Sequence, residues 1–202
     1  FASTNQSPLP PFHVLVADVE NQTGEPVFDV ALRTAIEVDL AQSNYAIVFD
    51  RAQVAETLRL MRKDPTTRVD EELGSDICRF AGVRALVVPR IGAAGEAYEL
   101  QAILVDPVER RHVDRVRVAA LGREDVLLDA VDDLAREVRE RLGESIASIE
   151  DSDLPAVQLT TSSWEALRHY SAARAAWWRA DFREAAALFE LALEEDPEFA
   201  TA

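Results

Sequence analysis

The chain is poor in the residues that support disulfides, membrane spans and nucleic-acid contacts. Its 202 residues include a single cysteine, Cys78, so no intrachain disulfide can form. No apolar run approaches the roughly 20 residues that a membrane helix needs. Lys and Arg number 21 against 37 Asp and Glu, for a net charge of -16, which disfavours phosphate contacts. We therefore expect no nucleic-acid partner, and membrane attachment only through a helix outside this segment.

Signatures of catalysis and metal binding are also missing. The sequence has no Gly-x-Ser-x-Gly elbow, no phosphate-binding loop and no His-Glu-x-x-His pair. The three histidines, His13, His112 and His169, lie in different predicted elements and have no ligand spacing. Cys78 lies in a predicted helix, where we expect a buried, inert thiol. The sequence thus predicts no catalytic residue, no metal and no cofactor; a hydrolase of unrecognised type is the alternative.

What the chain does contain is a globular composition, with 48% hydrophobic and 29% charged residues. Its length predicts one full domain and a smaller unit. Polar, Pro-rich residues 1–11 are interpreted as a linker or tether, and residues 12–150 as an α/β domain. A second linker is expected at 151–161, followed by a helical unit at 162–202. Because the sequence opens on Phe1 rather than Met, we expect it to be part of a longer protein.

The first unit alternates short apolar strands with amphipathic helices, in the order β-α-β-α-α-β-β-β-α. This order predicts a mixed-sheet α/β (α+β) domain. Pro89 follows the third strand and is expected to end it or to place it at a sheet edge. Apolar residues at helical spacing predict one long helix over residues 123–150.

Four polar residues follow the first strand, where open α/β sheets tend to bind ligands. They are Asp18, Glu20, Asn21 and Thr23. A cation or small-ligand site is one interpretation of this group. The other is structural: the side chains stabilise the Asn-Gln-Thr-Gly turn by bonding its backbone amides. Both alternatives are open at this stage.

The second unit has the pattern of a helical hairpin that begins near Thr161. Ser162 with Glu165, and Asp181 with Glu184, form two capping boxes, each followed by apolar residues at helical spacing. The connection between the helices is short, so we expect them to lie antiparallel.

Residues 166–199 resemble a tetratricopeptide repeat. The stretch Asp-Phe-Arg-Glu-Ala at 181–185 matches the middle of that motif, and Phe189, Ala192 and Pro197 match its second helix and closing proline. The first helix departs from it, with His169, Ala173 and Ala176 where Trp, Gly and Tyr are usual. One repeat cannot bury its own face, so we expect further repeats in the natural protein.

The resemblance implies a protein or peptide partner, because the first helix of such repeats lines a groove. The partner-facing set is then Tyr170, Arg174, Trp177 and Trp178. Tryptophan, tyrosine and arginine are enriched in interface hot spots. Trp177 and Trp178 diverge by about 100° around the helix, so we expect one of them to pack inward.

Three stretches resemble the α/β domains of the TolB N-terminal-like and CsgG-like families, over residues 13–120. They are residues 14–24 (VLVADVENQTG), residues 48–51 (VFDR) and residues 81–86 (AGVRAL). Val-Glu-Asn stands where these families often have Phe-x-Asn, and Glu109-Arg110 where a glycine is common. Such a domain followed by tetratricopeptide repeats is similar to the extracytoplasmic region of bacterial receptor-type Ser/Thr kinases and of membrane-anchored winged-helix regulators.

The combined resemblance implies a non-catalytic sensory or protein-interaction module of a membrane-anchored bacterial signalling protein. It would lie outside the cytoplasm, in the periplasm, tethered by a preceding membrane helix. Its α/β domain would recognise a ligand or form a homodimer. The alternative is a periplasmic envelope assembly or scaffolding protein.

Overall fold

Six strands form one mixed sheet in the computed structural model, which describes residues 11–144, 148–149, 161 and 163–199. The strands are β1 (Phe12–Val16), β2 (Glu20–Asn21), β3 (Ala46–Val48), β4 (Ala85–Ala94), β5 (Ala97–Asp106) and β6 (Arg111–Leu121). Their order is β3-β1-β4-β5-β6, with β2 beside β4. β1 pairs in parallel with β3 and β4, and β4, β5 and β6 form an antiparallel meander. The predicted mixed-sheet α/β class is confirmed.

Helices cover both faces of this sheet, and the last two helices of the chain form the hairpin. They are α1 (Val27–Ala41), α2 (Arg51–Leu60), α3 (Glu71–Ala81), α4 (Gly122–Asp125), α5 (Val131–Arg141), α6 (Trp164–Trp178) and α7 (Phe182–Glu195). In the described part of the chain, no helix is both long and apolar enough to cross a membrane.

The core has two layers because α1 and α5 pack on one face of the sheet and α2 and α3 on the other. α1 buries an apolar stripe at helical spacing. The stripe consists of Phe28, Leu32, Ile36 and Leu40. Each such side chain contributes about 1.5–3 kcal/mol when removed from water. The opposite layer is built around Leu58 and Ile77, both fully buried.

Capping residues mark where α2 and α3 begin and where α3 ends. The Asp50 carboxylate accepts a hydrogen bond from the Gln53 amide, and the Gln53 side chain bonds back to the Asp50 amide, which completes a capping box. Asp70 accepts a bond from the Leu73 amide at the start of α3. Gly82 ends α3 with φ of 73°, a conformation that favours glycine.

Pro89 was expected to end the third strand or to place it at a sheet edge, and this expectation was wrong. β4 continues through Pro89 to Ala94 and lies in the middle of the sheet. β1 pairs with β4 up to Val87, and β2 takes over at Arg90. Pro89 lies between these two neighbours, where β4 has no partner strand on that side, so its missing N–H removes no ladder bond. β2 itself, two residues long, was not expected.

The long helix expected over residues 123–150 is interrupted. α4 passes into a π-helical turn over Val126–Ala130, and α5 then ends at Arg141. Gly143 has φ of 101° and reverses the chain. The reversal brings Glu144 back to the buried Arg139, with 3.0 Å between its Oε2 and the Arg139 Nε.

The helical hairpin packs directly on the α/β domain. α6 lies against α1, and the Trp164 ring meets Phe28 with centroids 5.4 Å apart. Leu167 and Tyr170 join the core layer that α1 and α5 form. Ser163, rather than Ser162, caps α6, and Ser162 lies outside the described residues. The predicted cap Asp181 is present, accepting from the Glu184 amide.

Candidate functional site

A crevice opens where the chain leaves β1 and β3 in opposite directions. From β1 the chain passes to α1 on one face of the sheet, and from β3 it passes to α2 on the other. The carboxyl ends of these two neighbouring parallel strands therefore diverge. Such a switch point is where open α/β sheets bind ligands. Asp18 follows β1 at this position, and Arg51 follows β3.

The Asp18 carboxylate is the centre of the crevice. Its Oδ1 accepts a hydrogen bond from Arg33 Nη1 at 2.7 Å and is also contacted by Arg51 Nη2. Its Oδ2 accepts from the Val69 amide at 2.7 Å. The side chains of Asp18 and Arg33 are 16% and 3% exposed, so solvent screens this pair weakly. One carboxylate thus holds two guanidinium groups on α1 and α2.

A second acidic side chain, Glu37, lies beside Arg33 on the next turn of α1. Its Oε1 lies 3.7 Å from Arg33 Nε. Burial raises the pKa of Glu37, and the neighbouring Arg33 opposes that shift. Burial also lowers the pKa of Arg51, with repulsion from Arg33 as the second cause. The Nε atoms of Arg33 and Arg51 are buried without a hydrogen-bond partner among the described residues, so the cluster retains unused donors.

The hairpin closes this crevice from one side and forms a cleft with it. The cleft has a volume of about 460 Å³; Glu37 and Arg51 line one wall, and Arg174, Trp177 and Phe189 line the other. A smaller cavity of about 170 Å³ is lined by Arg51 and Asp18. Arg51 therefore borders both spaces.

Trp177 lies at the open side of the cleft. Its side chain is 50% exposed and stacks edge-on against Phe182, which is 57% exposed, with 5.1 Å between ring centroids. Arg174 lies one helical turn before Trp177, and its Nη1 donates to the Tyr170 hydroxyl at 3.0 Å. Two large aromatic rings in water next to a guanidinium group are typical of a contact surface.

Tyr170, by contrast, does not face outward as expected. It is 2% exposed, and its ring packs between Phe189 and Phe199, with centroid distances of 5.7 and 5.0 Å. This location corrects the placement of Tyr170 in the partner-facing set, because α7 and the chain after it cover this side of α6. Trp178 is the last residue of α6, and its side chain lies outside the described part of the structure.

The structure separates the polar residues that follow β1. Only Asp18 lies in the crevice; Glu20 pairs with Arg90 on β4, with 2.6 Å between Oε2 and Nε. Asn21 Oδ1 accepts from the Thr23 amide at 2.9 Å and from its hydroxyl at 2.7 Å. Asn21 Nδ2 donates to the Glu25 carbonyl. Asn21 and Thr23 therefore bond within the turn, as the structural interpretation requires.

Sequence reasoning missed the α1 half of the crevice. Arg33 and Glu37 each directly follow a buried residue of the apolar stripe, Leu32 and Ile36. An arginine and a glutamate four residues apart along the edge of a buried helical stripe are a sequence signal that could have predicted this pair.

The remaining candidates for chemistry are Cys78 and the residue types that ligate metals. Cys78 is fully buried, and burial raises the pKa of its thiol to about 12, which leaves it inert at neutral pH. Across the described ranges, no three His, Cys, Asp or Glu side chains converge in a way that could hold a metal ion.

Replacing Glu37 with glutamine is expected to stabilise the chain at neutral pH. A raised pKa means that the folded chain favours the protonated acid. The preference for the protonated acid therefore contributes fully to the free energy of unfolding at pH values below the ordinary pKa of 4.5. This contribution is lost as pH rises through the raised pKa of the folded chain. Glutamine mimics the protonated form, so the gain over the parent chain should vanish in acid.

Urea unfolding across this pH range measures the gain. The matched control is Glu56→Gln on α2, whose side chain is 62% exposed, and it should show no such gain. A Glu37→Gln chain less stable than the parent at neutral pH would show instead that Glu37 stabilises the crevice as an anion.

Comparison with known proteins relates the α/β domain to one solved fold. No family model matches the chain, and no curated protein sequence matches it. The structure is similar to the LpoB C-terminal domains from Salmonella enterica and Escherichia coli, each with a TM-score of 0.51 at 15% identity. Each match covers 57% of this chain and 86% of that domain. TolB from Acinetobacter baumannii matches with a TM-score of 0.45 at 13% identity, over 69% of this chain and 30% of TolB. That score is too low to support an assignment. The chain thus combines an α/β fold of the LpoB C-terminal type with a helical hairpin.

Proposed function

We propose that this chain is a non-catalytic protein-interaction module that acts in assembly or scaffolding in the bacterial cell envelope. The placement outside the cytoplasm comes from the resemblance to TolB N-terminal-like and CsgG-like domains. The similarity to the LpoB C-terminal domains supports the fold on which this role rests. The partner is a protein or peptide that binds at the cleft between the α/β domain and the hairpin.

The observation that carries this proposal is the exposed aromatic pair, Trp177 and Phe182, beside the cleft. A tryptophan that leaves half its side chain in water loses apolar burial that a partner can restore. Arg174 and Arg51 supply charged donors next to it. Aromatic residues flanked by arginine are the residue types on which interface energies concentrate.

The Trp177→Ala chain is expected to lose partner binding without losing its fold. Truncating a hot-spot tryptophan typically costs about 2 kcal/mol of binding energy, which is roughly 30-fold in affinity. Because Trp177 is 50% exposed, the free energy of unfolding should fall by less than about 1 kcal/mol. Quantitative co-purification of envelope proteins with the parent and variant chains, together with urea unfolding, measures both effects.

The matched control is Phe80→Ala on α3. Phe80 is 57% exposed, an aromatic of similar exposure on a helix that does not line the cleft. Equal loss of partners in both variants would contradict a site at the cleft. Unfolding of Trp177→Ala would assign Trp177 to the core instead.

A second candidate is the sensory region of a membrane-anchored signalling protein of the Ser/Thr kinase or winged-helix type. The contact between the hairpin and α1 favours it, because α1 also carries Arg33 and Glu37 of the crevice. A ligand in the crevice could then change how the hairpin presents Trp177. The coding sequence before Phe1 distinguishes the two: a membrane helix preceded by an effector supports signalling, and a directly preceding signal peptide supports scaffolding. Homodimerisation remains a prediction for sedimentation analysis.

A further inference from the structure

The outer edge of β6 is long and open. β6 has 11 residues and pairs with β5 on one side. No strand among the described residues pairs with its other side. The opposite edge of the sheet is β3, with only three residues. Shortness protects β3 from pairing with another chain, but it does not protect β6.

Proline and bulges, two of the devices that block an open edge, are also lacking along most of β6. The strand contains no proline. Its irregularity lies near one end, opposite Leu104 and Val105, and residues 114–121 pair regularly with β5. Backbone N–H and C=O groups along this stretch can therefore accept a further strand in register.

The exposed charged side chains of β6 determine which side chains an added strand would need to carry. Val116 and Ala120 are buried on the α5 side of the sheet, whereas Arg115, Arg117 and Leu121 alternate with them and are exposed. The Arg115 and Arg117 side chains form no ion pair with any described residue.

The neighbouring arginines, by contrast, do form ion pairs. Arg110 pairs with Asp76 at 2.6 Å, and Arg111 with Glu109. The chain carries 37 acidic residues against 21 basic ones, so acids to pair with are plentiful elsewhere. Arginine presents a planar fork that suits a carboxylate. At physiological salt, charges beyond about 8 Å are screened, so nearby groups matter more than the net charge of the chain. The acids near Arg115 and Arg117 are Glu99 on β5, opposite Ala119, and Asp114, which pairs with Arg141.

We propose that β6 binds an extended acidic segment of a partner protein as an added strand, with carboxylates against Arg115 and Arg117. A second copy of this chain fits poorly in the registers that pair most of β6. Antiparallel pairing of two β6 strands centred on Val116 sets Arg115 opposite Arg117, and centring on Arg115 sets it opposite itself. Like charges directly opposite one another destabilise a strand pair. This surface is separate from the Trp177 cleft and goes beyond the proposed function.

Fluorescence anisotropy with synthetic peptides tests the proposal. The probe is a labelled peptide of alternating Glu and Val residues, compared with a Lys-Val peptide and with a Glu-Val peptide N-methylated at alternate residues. We expect the chain to bind the Glu-Val peptide and to reject the other two. The Lys-Val peptide carries the opposite charge, and the N-methylated peptide lacks backbone N–H donors. The variant Arg115→Glu/Arg117→Glu should bind Glu-Val at least roughly tenfold more weakly and should bind Lys-Val instead.

Equal binding of the N-methylated peptide would overturn the proposal, because attraction would then be electrostatic without strand addition. Absence of Glu-Val binding would overturn it as well. A dimer of the chain that the double substitution abolishes would assign the edge to a second copy. Should the double variant fail to fold, the N-methylated peptide still decides the matter on the parent chain. None of these results depends on Trp177, so the cleft proposal stands or falls separately.

Discussion

Substitution of Asp18 by asparagine is expected to lower the free energy of unfolding by about 3–5 kcal/mol. The carboxylate holds Arg33 and Arg51, and the Arg33 side chain is only 3% exposed. Asparagine keeps the shape but removes the charge, so two guanidinium groups remain in the interior with Glu37 as the nearest acid. Urea unfolding of the parent and variant chains measures the loss.

Two further variants show that the loss comes from uncompensated buried charge. Asp133→Asn removes a carboxylate that is 59% exposed and pairs with Arg136 at 3.0 Å; such an exposed pair is worth about 0–1 kcal/mol. Adding Arg51→Met to the Asp18→Asn chain should recover part of the stability, because one stranded charge is removed. If Asp18→Asn proves as mild as Asp133→Asn, the crevice is not organised by its central carboxylate.

Substitution of Phe28 by alanine is expected to cost about 3–5 kcal/mol and to loosen the hairpin. Phe28 is fully buried, and its ring lies between Tyr98 on β5 and Trp164 on α6, with centroids 5.5 and 5.4 Å away. The cavity left by alanine opens where α6 meets α1. Urea unfolding measures the stability, and limited proteolysis in the absence of urea should cut between the α/β domain and α6 sooner than in the parent chain.

Phe80→Ala provides the control, because Phe80 is 57% exposed on α3 and its removal should change stability by no more than about 0.5 kcal/mol. A Phe28→Ala chain that loses stability but keeps the parent's resistance to proteolysis would show that the hairpin is held by contacts other than the Phe28–Trp164 pair.

Local sequence signals were enough for much of the α/β domain. Short β-branched runs predicted β1, β3 and β4, and capping residues such as Asp50, Asp70 and Gly82 mark the helix boundaries. These features depend on neighbours a few residues apart, which a linear pattern contains. Breaks in regular structure were harder to predict. Continuous helical spacing hid the π-helical turn at Val126–Ala130, and the gap between β1 and β2 that accommodates Pro89 exists only in the folded sheet.

The site was predicted in two unconnected halves. Asp18 was chosen because it ends a strand, and Arg174 and Trp177 because they lie on the first helix of a repeat-like hairpin. Nothing in their spacing shows that Arg51 and Glu37 link them across one cleft. Such links depend on how α6 packs on α1, where Phe28 meets Trp164. The burial of Tyr170 has the same origin, since Phe199 approaches it only once α7 has folded back.

Photo-cross-linking from position 177 tests the central claim most directly. A benzophenone-bearing residue replaces Trp177 in one chain and Phe80 in another, and both chains are irradiated in cells that produce them. We predict an adduct with an envelope protein from position 177 and none from position 80, because only the first lies beside the cleft that both parts of the chain form. Adducts from both positions, or from neither, would contradict the assignment of the cleft as a protein-binding site.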